Sequence, residues 1–141
     1  MKKMFCISIL LAFSILFSQV SAYAQERVYQ LEVRGKDAKF TGKAQFDTAK
    51  EGFLEYKLEG KAPKDFILSS NDSFIVILKN EGNGDNLWAG LRNMKNGKIS
   101  VETSTNSIDG NIILGLGKGP HPSPDEKPSV KEKILEKKAS N

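Results

Sequence analysis

Few residues of this sequence combine the type and the spacing that catalysis requires. His121, the only histidine, lies in a Gly-Pro-His-Pro-Ser-Pro stretch, where nothing would hold it within hydrogen-bond reach of a substrate proton. The serines have no usable base beside them, and no Ser-x-x-Lys motif is present. An enzyme that relied on carboxylates alone would need Glu55, Glu59 and Glu102, which lie in alternating runs of the kind found on solvated strand faces. We therefore expect a protein that is not an enzyme.

Metal and nucleotide motifs are equally weak. Residues 83–86, preceded by Glu81, offer the oxygen ligands that Ca²⁺ prefers. They lack the spaced acids and the distal glutamate of an EF-hand loop, so a hairpin turn explains them equally well. With one histidine and one cysteine in the whole chain, a zinc site would consist mostly of carboxylates, which suit zinc poorly. Residues 115–119 (Gly-Leu-Gly-Lys-Gly) lack the spacing of a phosphate-binding loop. We predict no metal site and no cofactor.

One group of residues is a candidate for binding a ligand or a partner. Trp88, Arg92 and Met94 are separated by even numbers of residues, so on a strand they project from the same face. Tryptophan, arginine and methionine are enriched in the cores of protein interfaces. Two interpretations remain open: an exposed binding patch, or a tryptophan that is buried in a second core.

Apolar and polar side chains alternate along most of the chain between residues 27 and 116. A period of two residues is that of a β-strand with one buried face. Glycine- and asparagine-rich turns separate the runs. The clearest runs are residues 29–33, 38–46 and 54–58.

Two hairpins can be assigned a register from side-chain size and turn chemistry. Placing Ala44 opposite Tyr56 sets small residues against large ones along the second and third runs. The second hairpin joins residues 87–94 to residues 98–105 through a three-residue loop that ends at Gly97. This loop pairs Leu91 with Val101 and puts Gly97 in a left-handed conformation.

Residues 74–78 are five consecutive apolar residues, as expected of a central strand that is buried on both faces. Shorter strands are predicted at residues 66–68 and 112–116. About seven short strands at close spacing, with no helical stretch between them, predict an all-β fold. We expect a small antiparallel β-sandwich, with a small β-barrel as the alternative.

The first 24 residues have the three parts of a cleavable signal peptide. Lys2 and Lys3 precede an apolar run at residues 4–17, and Ala22 and Ala24 supply the small residues that a signal peptidase requires. The run is shorter than the ~20 residues of a membrane-spanning helix. We expect cleavage after Ala24, or after Ala22, and export to the periplasm or the extracellular space. The only cysteine lies in this leader, and a mature domain without disulfides favours a bacterial source.

The mature chain divides into a domain at residues 25–117 and a tail at residues 118–141. Loss of two lysines with the leader lowers the net charge from +4 to +2. This excess of positive charge lies in the tail, and the domain itself has no net charge. The domain therefore lacks the excess of positive charge that is typical of proteins that bind nucleic acid. Because the tail is rich in proline and lysine, we expect it to be disordered, apart from a marginal helix at residues 129–138.

These observations predict an exported, non-enzymatic β domain that binds an envelope protein or a small apolar ligand. The alternative is a structural or assembly role, in which the basic tail tethers the domain weakly to a membrane or cell-wall surface. No transmembrane segment is expected after cleavage.

Overall fold

The computed structural model describes residues 27–82, 86–119 and 127–133, and within them the protein is an all-β sandwich of two antiparallel sheets. A five-stranded sheet has the order β7-β6-β1-β4-β9, and a four-stranded sheet has the order β3-β2-β5-β8. The sheets do not close into a barrel, so the sandwich prediction is confirmed. The strands are β1 Val28–Arg34, β2 Lys39–Thr48, β3 Gly52–Lys61, β4 Lys64–Ser69, β5 Ser73–Asn80, β6 Leu87–Asn93, β7 Ile99–Thr105, β8 Asn111–Leu116 and β9 Ser129–Lys133.

The inward faces of the two sheets meet in one apolar core. Phe46 is fully buried at its centre, with ring centroids 5.7 Å from Tyr56 and 5.2 Å from Phe74. Leucines and valines of β1, β4, β6 and β8 complete this core. Aromatic pairs at these distances add to the free energy gained by burying apolar area. Because residues 25–141 contain no cysteine, this packing stabilises the sandwich without help from a disulfide.

Both hairpin registers predicted from the sequence are confirmed. Ala44 lies opposite Tyr56 in the β2–β3 pair, and Leu91 lies opposite Val101 in the β6–β7 pair. Gly97 adopts a φ of +71° in the second turn, and its N–H donates to the carbonyl of Asn93 at 2.8 Å. The predicted three-residue loop is wrong, because the Asn93 N–H donates to the carbonyl of Lys98 at 2.8 Å and so leaves four residues, 94–97, in the loop. The register shift between Leu91 and Arg92 absorbs the difference, so Leu91 still pairs with Val101.

The prediction that residues 74–78 are buried on both faces is wrong. Their strand, β5, is an inner strand between β2 and β8, as expected. However, Ile75 is 37% exposed and Ile77 is only half-buried. The physical reason is that the sandwich has two layers, so the outer face of the four-stranded sheet has no sheet packed on it in the described part of the chain. An apolar run that fills both faces of β5 therefore leaves apolar side chains at the surface.

The prediction of a disordered tail or a short helix is wrong for Ser129–Lys133, which forms β9. This strand pairs with the edge of β4, and Val130 packs against the core. The Tyr56 hydroxyl donates to the carbonyl of Pro128 at 2.8 Å. The open edge of β4 explains the difference, because an added strand satisfies its backbone groups. Residues 120–126 and 134–141 of the tail, and the whole predicted signal peptide, lie outside the described residues.

Candidate functional site

Trp88 lies on the outer face of the five-stranded sheet and is half-buried. Its indole leans across Gly90, which is two residues further along the same face. A Cβ atom at Gly90 would lie 2.6 Å from Cη2 of Trp88, so only glycine leaves room for the ring in this position. The indole Nε1–H donates to Oε2 of Glu102 at 3.2 Å. Trp88 is therefore neither part of the core nor fully extended into solvent.

Arg92 shares this face, whereas Met94 follows the end of β6. Arg92 Nε donates to Oε1 of Glu32 at 2.8 Å, and its Nη1 donates to the carbonyl of Gly97 at 2.6 Å. The hydrogen bond to Glu32 raises the pKa of Arg92. Met94 is exposed, and at ~3.4 Å per residue it lies roughly 20 Å along the chain from Trp88. The structure therefore does not bring the three predicted residues together as one compact patch, and binding by them stays a prediction.

The side chains that do surround Trp88 come from neighbouring strands. In register, Arg34 of β1 lies opposite Trp88, and Glu32 lies opposite Gly90. Glu32 in turn lies opposite Asp65 of β4. The alternation along β1 puts Glu32 and Arg34 on its outward face, but nothing in the sequence connects them to Trp88. The pairing of β1 with β6 makes that connection, and it is not encoded in any local motif.

Asp65 organises the polar groups on this face. Its carboxylate is almost fully buried, and it accepts hydrogen bonds from Arg34 and, at 2.6 Å, from Nε2 of Gln30. The hydrogen bond to Asp65 raises the pKa of Arg34. Lys133 of β9 donates to Oε1 of Gln30 at 3.2 Å. We call this surface the Trp88 face; it comprises Gln30, Glu32, Arg34, Asp65, Trp88, Gly90, Arg92 and Glu102.

Part of the outer face of the other sheet is apolar. Phe53 is 68% exposed and Ile113 is 63% exposed, and both project on the same side as Ile75. Gly115, opposite Ile75, adds no side chain to cover it. A cleft of about 240 Å³ opens here. We call it the apolar cleft; it is lined by Gln45, Asp47, Phe53, Ser73, Phe74, Ile75 and Leu116.

Sequence reasoning missed the apolar cleft because it assigned the outer side chains of β5 to a buried layer. The alternation of side chains along β3 nevertheless contains a sign of the cleft. Phe53 falls on the same side as the polar residues Glu55 and Lys57, so an outward phenylalanine could have been recognised from the predicted β2–β3 register.

The carboxylates considered for catalysis do not form a pair. Glu55 lies 2.9 Å from Lys43 and Glu59 lies 3.0 Å from Lys57, in exposed ion pairs on the four-stranded sheet. Glu102 lies on the other sheet, next to Trp88. Residues 115–119, the segment compared with a phosphate-binding loop, comprise the last two residues of β8 and the three that follow it. His121 and residues 83–85 of the calcium candidate lie outside the described residues.

Within the part of the chain that the structure describes, no three acidic, histidine or cysteine side chains are grouped so that they could hold a metal ion. The same part of the chain contains no helix suited to crossing a membrane. Comparison of the chain with protein-family models, with curated proteins and with solved structures finds no match. The Trp88 face and the apolar cleft are therefore the two candidate functional sites.

Proposed function

We propose that the mature chain is an exported, non-enzymatic binding domain that receives a protein partner of the cell envelope at the apolar cleft. The observation that supports this proposal is the group of exposed apolar side chains in the cleft and beside it. Phe53, Ile75 and Ile113 project from one face of one sheet. Apolar residues scattered singly on a surface need no explanation, whereas a contiguous group on one face is characteristic of an interaction site.

The size of the cleft favours a protein partner over a small apolar ligand. Sites that enclose drug-sized molecules have volumes of roughly 300–1,000 Å³, and this cleft has about 240 Å³. It is suited to one apolar side chain rather than to a whole ligand. Ile77 and Ile113 continue the apolar surface beyond the cleft, and a protein segment that inserts a side chain would cover them as well.

The charges at the rim specify the chemistry of that segment. Asp47 lines the cleft and is exposed, and it makes no ion pair with any residue that the structure describes. The nearby Lys43 is already paired with Glu55. A partner segment that carries a lysine or arginine beside its apolar anchor would pair with Asp47. Such a rim pair contributes more to the association rate and to specificity than to affinity.

The alternative role, a domain tethered by its tail, has less support. Of the four tail lysines that the structure describes, Lys127 and Lys133 are bonded to Glu51 and Gln30. A tether would require these lysines to face an anionic surface instead.

The proposal can be tested by capturing partners from a detergent extract of the cell envelope with the immobilised mature chain. Phe53→Ser removes the most exposed apolar side chain of the cleft, and Glu59→Ser is the matched control on the same strand and face. We expect a discrete protein that the wild type and Glu59→Ser retain and Phe53→Ser loses. Asp47→Asn should weaken its capture at low salt. Identical captured proteins for Phe53→Ser and the wild type, or no captured protein, would refute the proposal.

A further inference from the structure

We propose that the Trp88 face is a second binding site, and that its ligand is a neutral oligosaccharide. This face belongs to the five-stranded sheet, so it lies on the opposite side of the sandwich from the apolar cleft. The two sites use no residue in common, and the inference does not depend on the proposed protein partner.

The indole of Trp88 has the placement of a stacking platform. The end of its benzo ring lies beside Gly90, since a Cβ there would be 2.6 Å from Cη2 and 2.8 Å from Cζ2, and its Nε1 donates to Glu102. The cation–π contacts of the described residues involve Tyr29 and Phe66, and none involves Trp88. An aromatic ring carries negative charge density on its face. The C–H groups on the apolar side of a pyranose ring carry partial positive charge, so a sugar can stack on the part of this half-buried indole that solvent reaches.

The groups that flank the indole match the hydroxyls of a sugar. Arg34 and Arg92 present guanidinium donors, and each side chain is 38% exposed. Glu102 presents an exposed carboxylate acceptor, whereas the Glu32 side chain is only 11% exposed and serves to hold Arg92. A hydroxyl both donates and accepts a hydrogen bond, so a mixed surface of donors and acceptors can satisfy it. The ion pairs with Asp65 and Glu32 hold both guanidinium groups in place before a ligand arrives, which reduces the entropy lost on binding.

The charge balance of the face argues for a neutral ligand. Among the described strands, four cationic side chains project from this sheet face, and they are offset by three carboxylates. A site for a phosphorylated, sulfated or nucleic-acid ligand would carry a clear excess of positive charge. The cations are Arg34, Arg92, Lys131 and Lys133, and the carboxylates are Glu32, Asp65 and Glu102.

The test uses the fact that Trp88 is the only tryptophan in the chain, so intrinsic tryptophan fluorescence reports on this face alone. The mature protein is titrated with β-1,4-linked hexamers of glucose and of N-acetylglucosamine, and calorimetry is run in parallel. We expect a saturable change in Trp88 emission with at least one hexamer. By calorimetry, Trp88→Ala should lower the affinity at least tenfold, whereas Phe53→Ser on the other sheet should leave it unchanged.

Gly90→Ala provides a second variant that keeps the fluorophore. Its Cβ would overlap Cη2 of Trp88, so the indole must leave its present position, and we expect affinity to fall severalfold while the circular dichroism spectrum stays that of a β protein. Three results would overturn the proposal. They are no binding of either hexamer up to about 10 mM, equal binding by folded Trp88→Ala, and binding of a sulfated hexamer without binding of the neutral ones.

Discussion

Replacing Asp65 with asparagine tests whether one buried carboxylate stabilises the arrangement of polar side chains on the Trp88 face. Asp65 is 1% exposed, and its carboxylate accepts hydrogen bonds from both Gln30 and Arg34. The asparagine side chain would keep the size of the aspartate but only one acceptor oxygen, and its amide nitrogen would face at least one donor group. Asp65→Asn therefore removes the charge and at least one hydrogen bond without creating a cavity.

The expected cost follows from the exposure of the two partners. Breaking a fully buried ion pair costs about 3–5 kcal/mol, and a hydrogen bond to a charged group contributes about 1.5–3 kcal/mol. Since the Arg34 side chain is 38% exposed, water can solvate its guanidinium once the carboxylate is gone, and the lower range applies. We expect a loss of about 2 kcal/mol from the free energy of unfolding, which corresponds to a fall of about 1–2 M in the urea midpoint.

The assay is equilibrium urea denaturation followed by Trp88 fluorescence and by far-ultraviolet circular dichroism on the same samples. Glu102→Gln is the matched control, because Glu102 is exposed and its only bond in the described structure is the one from Trp88; its effect should stay within about 0.5 kcal/mol. A double-mutant cycle with Arg34→Gln should give a coupling energy of at least about 1 kcal/mol. If Asp65→Asn is no more destabilising than Glu102→Gln, the reasoning about this face is wrong.

Three further predictions concern the framework. Phe46→Ala should lower stability by about 3–5 kcal/mol, measured by thermal unfolding, because a fully buried ring is removed from a core with no disulfide to support it; a loss below about 1 kcal/mol would contradict this packing. Gly97→Ala should lower the free energy of unfolding, measured by urea denaturation, by about 1 kcal/mol. The cause is backbone conformation alone, since φ is +71° and no atom lies within 4 Å of an added Cβ. An unchanged free energy of unfolding would exclude the left-handed turn. Tyr56→Phe removes the bond to Pro128 and should speed hydrogen exchange in β9 but not in β6, whereas unchanged exchange in β9 would show that this bond does not hold the strand.

The alternation of side chains and two local turn signals were enough to predict most of the strands and both hairpin registers. Gly42 shows why the β2–β3 register could be predicted but not fully understood from the sequence. The pairing of Gly42 with Leu58 looks like a match of small with large. In the structure, a Cβ on Gly42 would lie 2.0 Å from the carbonyl oxygen of Ile77. The glycine is thus also required by the approach of β5, which no local pattern reveals.

The parts that could not be predicted depend on contacts between distant segments. An apolar run such as β5 looks the same whether its outer side is buried or exposed, because the number of layers is a property of the whole fold. The position of β9 depends on the unsatisfied edge of β4 rather than on its own five residues. Likewise, Trp88 meets Glu32 and Arg34 only because β1 inserts between β6 and β4. The Trp-x-Gly spacing of residues 88 and 90 is the one local indication that the indole occupies the space above a glycine of its own strand.

The most direct test of the proposed function is site-specific photo-crosslinking in intact cells. Replacing Phe53 with benzoylphenylalanine places a photoreactive aromatic group in the apolar cleft, and the same replacement at Glu59 serves as the control on the same face. We predict that irradiation crosslinks the chain to one discrete envelope protein from position 53 and not from position 59. Equal crosslinking from both positions, or no crosslinked protein from position 53, would contradict the claim that the apolar cleft receives a protein partner.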